Sequence, residues 1–191
     1  SPSIKGKAYW IDERTIEFRP EKKLLANQSY TAEFSLNKII DVPDHFKDFK
    51  FAFQTVKPDF TVSFVGLQTA TSTSLDKMKL DGVIQTADDE DNAAIEKLIS
   101  TNYASPVHIS WQHTNATRTH KFTISELTRV ADKVNPLTVN WDGSSLNVDK
   151  KGSQNFDIPA IGDFKVLART AVQDQDQYVL VQFSDAIFLF F

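Results

Sequence analysis

Histidines are the first residues to weigh for chemistry, because neutral imidazole is the commonest metal ligand. His108, His113 and His120 lie close together in the chain. On one strand, His108 and His113 differ by an odd number and face opposite ways. A turn at Asn115-Ala116 sets Trp111 opposite His120, Ile109 opposite Phe122 and Val107 opposite Ile124. In that register His113 and His120 share a face only diagonally, ~7–8 Å apart at the backbone. No carboxylate stands at ligand spacing, so the three read as hairpin-end residues in a structural slot, not as a metal site. His45 falls in a loop and faces solvent.

The acidic residues lead no further. Asp88-Asp-Glu-Asp91 invites a calcium reading, but an EF-hand loop needs Gly at its sixth position and Glu at its twelfth. Asn92-Ala-Ala does not supply the glycine. The run reads instead as an acidic helix start, where the macrodipole favours anions. Asp12 with Glu13, and Asp174 with Asp176, are close carboxylates of the glycosidase kind. Both pairs lie in polar turns that nothing desolvates, so no carboxyl is raised into a general-acid range. Trp10, Trp111 and Trp141 are candidates for sugar stacking, yet Trp111 and Trp141 end strands on the apolar parity, which favours core. No nucleophile elbow, phosphate loop, zincin helix or dinucleotide fingerprint occurs. Asn27-Gln-Ser29 and Asn115-Ala-Thr117 match the N-glycosylation pattern, which matters in a eukaryotic secretory setting alone. The residues therefore assign no catalytic, cofactor-binding or metal position and no cofactor, and the expectation is of a protein that is not an enzyme.

Composition points to a β-rich core. The chain has 191 residues, 41% of them hydrophobic, with 15 Phe against a single Met and 6 Gly. Aromatic residues suit pleated surfaces. The net charge is -4 and the basic residues are scattered, which argues against a nucleic-acid groove. There is no Cys, which removes disulfides, thiolate zinc sites and Cys nucleophiles. No apolar run reaches the ~18 residues of a membrane span. Without a signal peptide or an initial Met, the chain is expected to be part of something longer.

The elements that would position any site are strands. Trp10 to Pro20 reads as a hairpin with its turn at Asp12 to Arg14, where Ile16 and Phe18 alternate with Thr15 and Glu17. Pro20 has no N–H for the ladder and stops it. Tyr30, Ala32, Phe34 and Leu36 then share a face, with Tyr30 placed as a corner tyrosine of an immunoglobulin-like sandwich. Phe49, Phe51 and Phe53 alternate with Lys50, Ala52 and Gln54 on a further inward-facing strand. Residues 1–57 supply about four strands where a sandwich needs about seven, so they read as a partial domain.

A second pattern begins at Phe60 and runs to about residue 173. Gly66 and the Thr69–Ser74 run predict a loop, Gly82 a bulge, and Ala87–Ser100 the one helix, with Ile95, Leu98 and Ile99 on its apolar face. Asp142-Gly143 predicts a tight turn, setting Val139 opposite Leu146 and Leu137 opposite Val148. Short strands follow at Phe156–Ile158 and Phe164–Val166. Residues 58–173 thus read as one complete β-sandwich with a short helix in a loop. The polar stretch Gln173–Gln177 marks a boundary, after which Tyr178–Asp185 opens another strand. The apolar tail Ile187–Phe191 needs a partner to escape aggregation.

These residues carry a family likeness. Thr15-Ile-Glu-Phe-Arg-Pro20, Leu24 and Tyr30-Thr-Ala-Glu-Phe34 resemble the closing half of a bacterial Ig-like domain. Tyr178-Val-Leu-Val-Gln-Phe-Ser-Asp185 resembles the opening strand of the next, over residues 174–191. Phe49-Lys-Phe-Ala-Phe-Gln-Thr-Val-Lys-Pro58 followed by a β module resembles the amino-terminal part of bacterial alpha-2-macroglobulin family proteins of the Bacteroidetes type. The resemblance implies Ig-like and macroglobulin-like sandwiches in a periplasmic or outer-membrane-associated protease trap. The family's thioester needs a Cys, which this chain lacks, so no reactive residue is carried over. What remains is a non-catalytic scaffold role, whose partners are neighbouring domains and, for the whole protein, proteases. The alternative is a carbohydrate-binding or adhesive surface module. Dimerisation is expected through addition of Tyr178–Phe183 or the Ile187–Phe191 tail to the open edge beside Phe49–Phe53.

Overall fold

A computed structural model describes residues 3–71, 76–173, 176–185 and 187. The fold is all-β, with antiparallel sheets and one short helix. The chain divides into two compact units, Ser1–Pro58 and Asp59–Phe191.

The first unit holds two hairpins. Strands β1 (Gly6–Trp10) and β2 (Ile16–Pro20) pair with Trp10 opposite Ile16 and Ala8 opposite Phe18. The Asp12 carboxylate closes the turn by accepting from the Arg14 N–H at 2.7 Å. Strands β3 (Ser29–Ser35) and β4 (Asp48–Gln54) pair Tyr30 with Phe53, Ala32 with Phe51 and Phe34 with Phe49. The Tyr30 hydroxyl accepts from the Leu25 N–H at 2.9 Å, five residues upstream, which makes the expected corner. The opposite face is polar, with Lys50 and Glu33 paired across it at 3.3 Å.

One expectation fails here. Phe49, Phe51 and Phe53 were placed facing inward between two sheets, yet Phe51 is 57% exposed and its two neighbours are exposed as well. Among the described residues neither hairpin takes a third strand, and none of this unit's is buried. The alternation is present, but no second layer among the described residues closes over it.

The second unit contains a seven-stranded sandwich. One sheet is β5 (Phe60–Thr69), β6 (Lys77–Thr86), β9 (Thr119–Thr128) and β8 (His108–Thr114), in that order. The other is β7 (Ile99–Asn102), β10 (Asn135–Asp142) and β11 (Lys151–Ile158), with β10 central. Lettered in chain order, these are the ABED and CFG sheets of a constant-type immunoglobulin sandwich. Met78, Leu80, Ile84, Phe122 and Ile124 from the first sheet, and Leu137, Val139 and Ile158 from the second, are buried together. The Phe64 ring spans the layers, 5.0 Å from Phe156 and 5.9 Å from Phe122 between centroids. Two aromatic rings lie flat over glycines. A Cβ at Gly82 would come within 2.3 Å of the Phe122 ring, and one at Gly152 within 2.4 Å of the Trp141 indole.

Local chemistry corrects several expected boundaries. No two-residue turn forms at Asp142-Gly143. The Asp142 carboxylate caps a 3-10 turn, Gly143–Leu146, by accepting from Ser144 N–H at 2.9 Å, and Asn147 takes a left-handed conformation. Leu146 is thereby buried, and the register moves so that Leu137 faces Phe156 and Val139 faces Gln154. The helix is only α1 (Asn92–Glu96), because Asp91 caps it and Ile99 is already pairing with Trp141. Strand β5 runs through Gly66, where a bulge at φ +121° turns the chain, whereas Gly82 stays in the ladder. Phe164 lies outside any strand and stacks on Phe183 at 5.1 Å.

A further hairpin, β12 (Val166–Gln173) and β13 (Gln177–Phe183), completes the unit. The strand expected to add to β4 therefore pairs with β12, and the tail beyond Ile187 lies outside the described residues. The hairpin is held by Arg129, which is 2% exposed. Its Nε donates to the Pro159 carbonyl, one terminal nitrogen to the Ser184 carbonyl and Asp185 Oδ1, and the other to the Ala160 carbonyl and Asp185 Oδ2. All five N–H groups of the guanidinium thus have an acceptor.

Truncating one member of such a buried pair strands the rest, so Arg129→Ala should cost about 3–5 kcal/mol. Urea unfolding of the second unit, followed by Trp111 and Trp141 emission in a Trp10→Phe background, measures it; a cost under ~1 kcal/mol would mean the guanidinium is incidental. The same guanidinium holds the Asp185 carboxyl below its ordinary value. A carboxylate depressed on folding stabilises above its unfolded value and stops doing so as the pH falls through the folded one. Stability should therefore drop below about pH 4, and Asp185→Asn should flatten that limb of the profile.

Candidate functional site

The residues with most chemical capacity gather where β6, β9 and β8 reach the same end of their sheet. The hairpin β8–β9 does not turn at Asn115-Ala116. A 3-10 turn, Asn115–Thr117, followed by Arg118 in a left-handed conformation, lengthens the connection. Trp111 then faces Phe122, Ile109 faces Ile124, and His113 faces His120 directly. The expected diagonal separation is thus replaced by contact: the two Nδ1 atoms are 2.9 Å apart.

Each ring is held at its other nitrogen. His113 Nε2 is 3.2 Å from Glu96 Oε1 at the end of α1, and His120 Nε2 is 3.4 Å from Thr86 Oγ1 at the end of β6. Thr86 Oγ1 donates in turn to the Asp88 carbonyl at 2.7 Å. Trp111 stacks on His113 with ring planes 2° apart. His120 is 1% exposed. Burial lowers its proton affinity below the ordinary histidine value, the neighbouring His113 adds to this, and Asp89 opposes it.

The remaining candidates do not assemble. His108 points outward on β8 and is exposed; His45 is exposed beside Phe46. No group of three or more His, Cys, Asp or Glu that could hold a metal ion occurs among the described residues. Asp91 accepts from the Ala94 N–H at 3.2 Å, and Asp88 accepts from the Asp89 N–H at 2.8 Å, so both act in local capping. Asp12 is fully exposed, and the Arg14 N–H beside it lowers its carboxyl. Asp176 is exposed, and Asp174 lies outside the described residues. Trp111 and Trp141 pack half-buried against the core, whereas Trp10 is 55% exposed. A shallow groove of about 420 Å³ crosses the outer face of the four-stranded sheet between Lys79, Asp81, Gln112 and Lys121. Its carboxylate is engaged by Lys79 at 3.2 Å and Thr123 at 2.7 Å. No helix among the described residues is long and apolar enough to cross a membrane.

Sequence reasoning missed Glu96 and Thr86. A signal was available for Glu96, since it lies one position after the inward Ile95 on a helix that must pack over the hairpin end. Comparison of the chain with protein-family models, curated proteins and solved structures found no match.

A histidine whose proton affinity is depressed on folding stabilises only while neutral. The contribution of His120 to folding stability should therefore be full above about pH 6.5 and fall as the pH drops toward the folded value. His120→Asn should remove that slope. The check is the urea midpoint of the second unit at pH 7 and pH 5; a wild-type midpoint that stays put would disprove the linkage.

Proposed function

We propose that this chain is a non-catalytic scaffold segment of a large extracytoplasmic protein of the alpha-2-macroglobulin type, which inhibits proteases by trapping them. The observation that carries the reading is the first unit. Its two hairpins each present one apolar face, Ala8, Trp10, Ile16 and Phe18 on one, and Tyr30, Ala32, Phe34, Phe49, Phe51 and Phe53 on the other. Two-stranded hairpins are marginal alone in water, and contiguous apolar patches of this kind mark surfaces meant for contact. Packing against neighbouring β-domains is the work such faces suit. The constant-type sandwich of the second unit fits a tandem array of such modules, and the family resemblance supplies the trap.

The second reading, a carbohydrate-binding module, draws support from the exposed Trp10. Tyr9 and Trp10 are adjacent on β1 and so face opposite ways, and Arg19 covers the Tyr9 ring at 5.5 Å. They do not make one stacking platform, which leaves the scaffold reading ahead.

The natural polypeptide carrying this chain should shield a bound protease from a large protein substrate while small peptide substrates are still cleaved. Unaltered digestion of the large substrate would count against the trap. Loss of glycan binding on Trp10→Ala would favour the other reading instead.

A further inference from the structure

The polar chain Glu96–His113–His120–Thr86–Asp88 has a proton count that can be worked out from its geometry. The Asp88 carbonyl only accepts, so the Thr86 hydroxyl donates to it and offers its lone pair to His120. His120 Nε2 must then carry hydrogen. The Glu96 carboxylate only accepts, so His113 Nε2 carries hydrogen as well. The two Nδ1 atoms at 2.9 Å need one hydrogen between them. That makes three N–H groups on two rings, one more than two neutral imidazoles have. The fully bonded chain therefore carries a single positive charge. Removing that proton breaks one link of the chain: either Thr86 swings from the Asp88 carbonyl toward His120, or His113 Nε2 loses the hydrogen it gives to Glu96. Adding another sets two N–H groups head to head at a distance that only a hydrogen bond tolerates.

We propose that this chain is an acid-responsive latch: one shared proton fastens the segment Thr86–Glu96 onto the turn end of the β8–β9 hairpin, and a second proton releases it. The charged groups around the pair are Glu96 on α1, Asp89 in the loop before it, and Arg118 in the β8–β9 turn, which donates to the Ala87 carbonyl at 2.6 Å. Thr86 is the group that β6 contributes. The two carboxylates offset one imidazolium. The second proton would have to enter His120, which is buried against the core. Release would lift α1 and draw out its own Ile95 and the following Leu98, both of which are buried. The proposal does not rest on the scaffold reading and stands if that reading fails.

The test uses the whole chain labelled with nitrogen-15, titrated from pH 8 to pH 4. Ring nitrogen shifts should show both Nε2 atoms protonated and one hydrogen shared by the Nδ1 pair. Uptake of the second proton should coincide with at least a tenfold rise in exchange of the Ala94, Ile95 and Leu98 amides over the intrinsic pH effect. The β10–β11 amides should keep their protection. In Glu96→Gln, a substitution at an exposed position, uptake and opening should both move to lower pH. In His113→Asn, exchange at Ala94, Ile95 and Leu98 should lose its acid dependence. Independent titration of the two rings overturns the latch, as does acid-driven exchange that persists in His113→Asn or stays fixed in Glu96→Gln.

Discussion

The second unit depends on a cation that water does not reach. A guanidinium taken out of water is tolerated only when every N–H is matched and the charge is paired. Arg129 meets both conditions by drawing three stretches of backbone around itself: the end of β9, the Pro159–Ala160 segment and the Ser184–Asp185 pair. Ser184 locks the same corner from the other side, accepting from the Lys165 N–H at 2.8 Å and donating to the Asp163 carbonyl at 2.9 Å. The β12–β13 hairpin is therefore tied to the sandwich by a polar knot as well as by packing near the Gly66 bulge. Such a knot contributes specificity more than net stability: only one arrangement of these segments satisfies all five donors.

Arg129 was not legible in the sequence, and the reason is a single residue. Reading His120, Phe122 and Ile124 as inward predicts Glu126 inward and Arg129 outward. Glu126 instead adopts a left-handed conformation at φ 64°, opposite an irregularity between Met78 and Leu80. That bulge resets the parity, so Leu127 and Arg129 turn into the core. Period-two reasoning is reliable only between such resets. It placed Phe122 and Val139 correctly because no reset separates either from the inward residue before it on its strand, His120 and Leu137.

The histidine pair fails legibility differently. Parity assigned His113 and His120 to one face, and that face is right. The number of residues in the turn was wrong by two, which preserves the face and changes the partner. A two-residue turn needs positive φ at both central positions in type I′ or Gly at the first in type II′, and Asn115-Ala116 supplies neither a suited second residue nor that glycine. Arg118 takes the left-handed position instead, at φ 54°. The same arithmetic governs Asp142-Gly143, where the carboxylate finds the Ser144 amide before a hairpin can close. In β10–β11 a side-chain cap at the turn accompanies the changed register, and in β8–β9 the left-handed Arg118 does; hydrophobic periodicity shows neither.

The first unit poses the opposite case: its alternation was legible throughout and still predicted burial that does not occur among the described residues. Sequence periodicity records what a strand is built to bury, not whether the covering layer is present. The polar face of β3–β4 carries Lys50 and Glu33 as a cross-strand pair and leaves charge beside the open β4 edge, the device by which edge strands resist indiscriminate pairing. The apolar face has no such protection. A surface guarded at its edge and bare on its face suits a partner that stacks on it, sheet against sheet, rather than one that extends it. A lone hairpin gains too little by burial to offset its ordering entropy, so on the scaffold role proposed above the order of this unit and the docking of its partner would be one thermodynamic event.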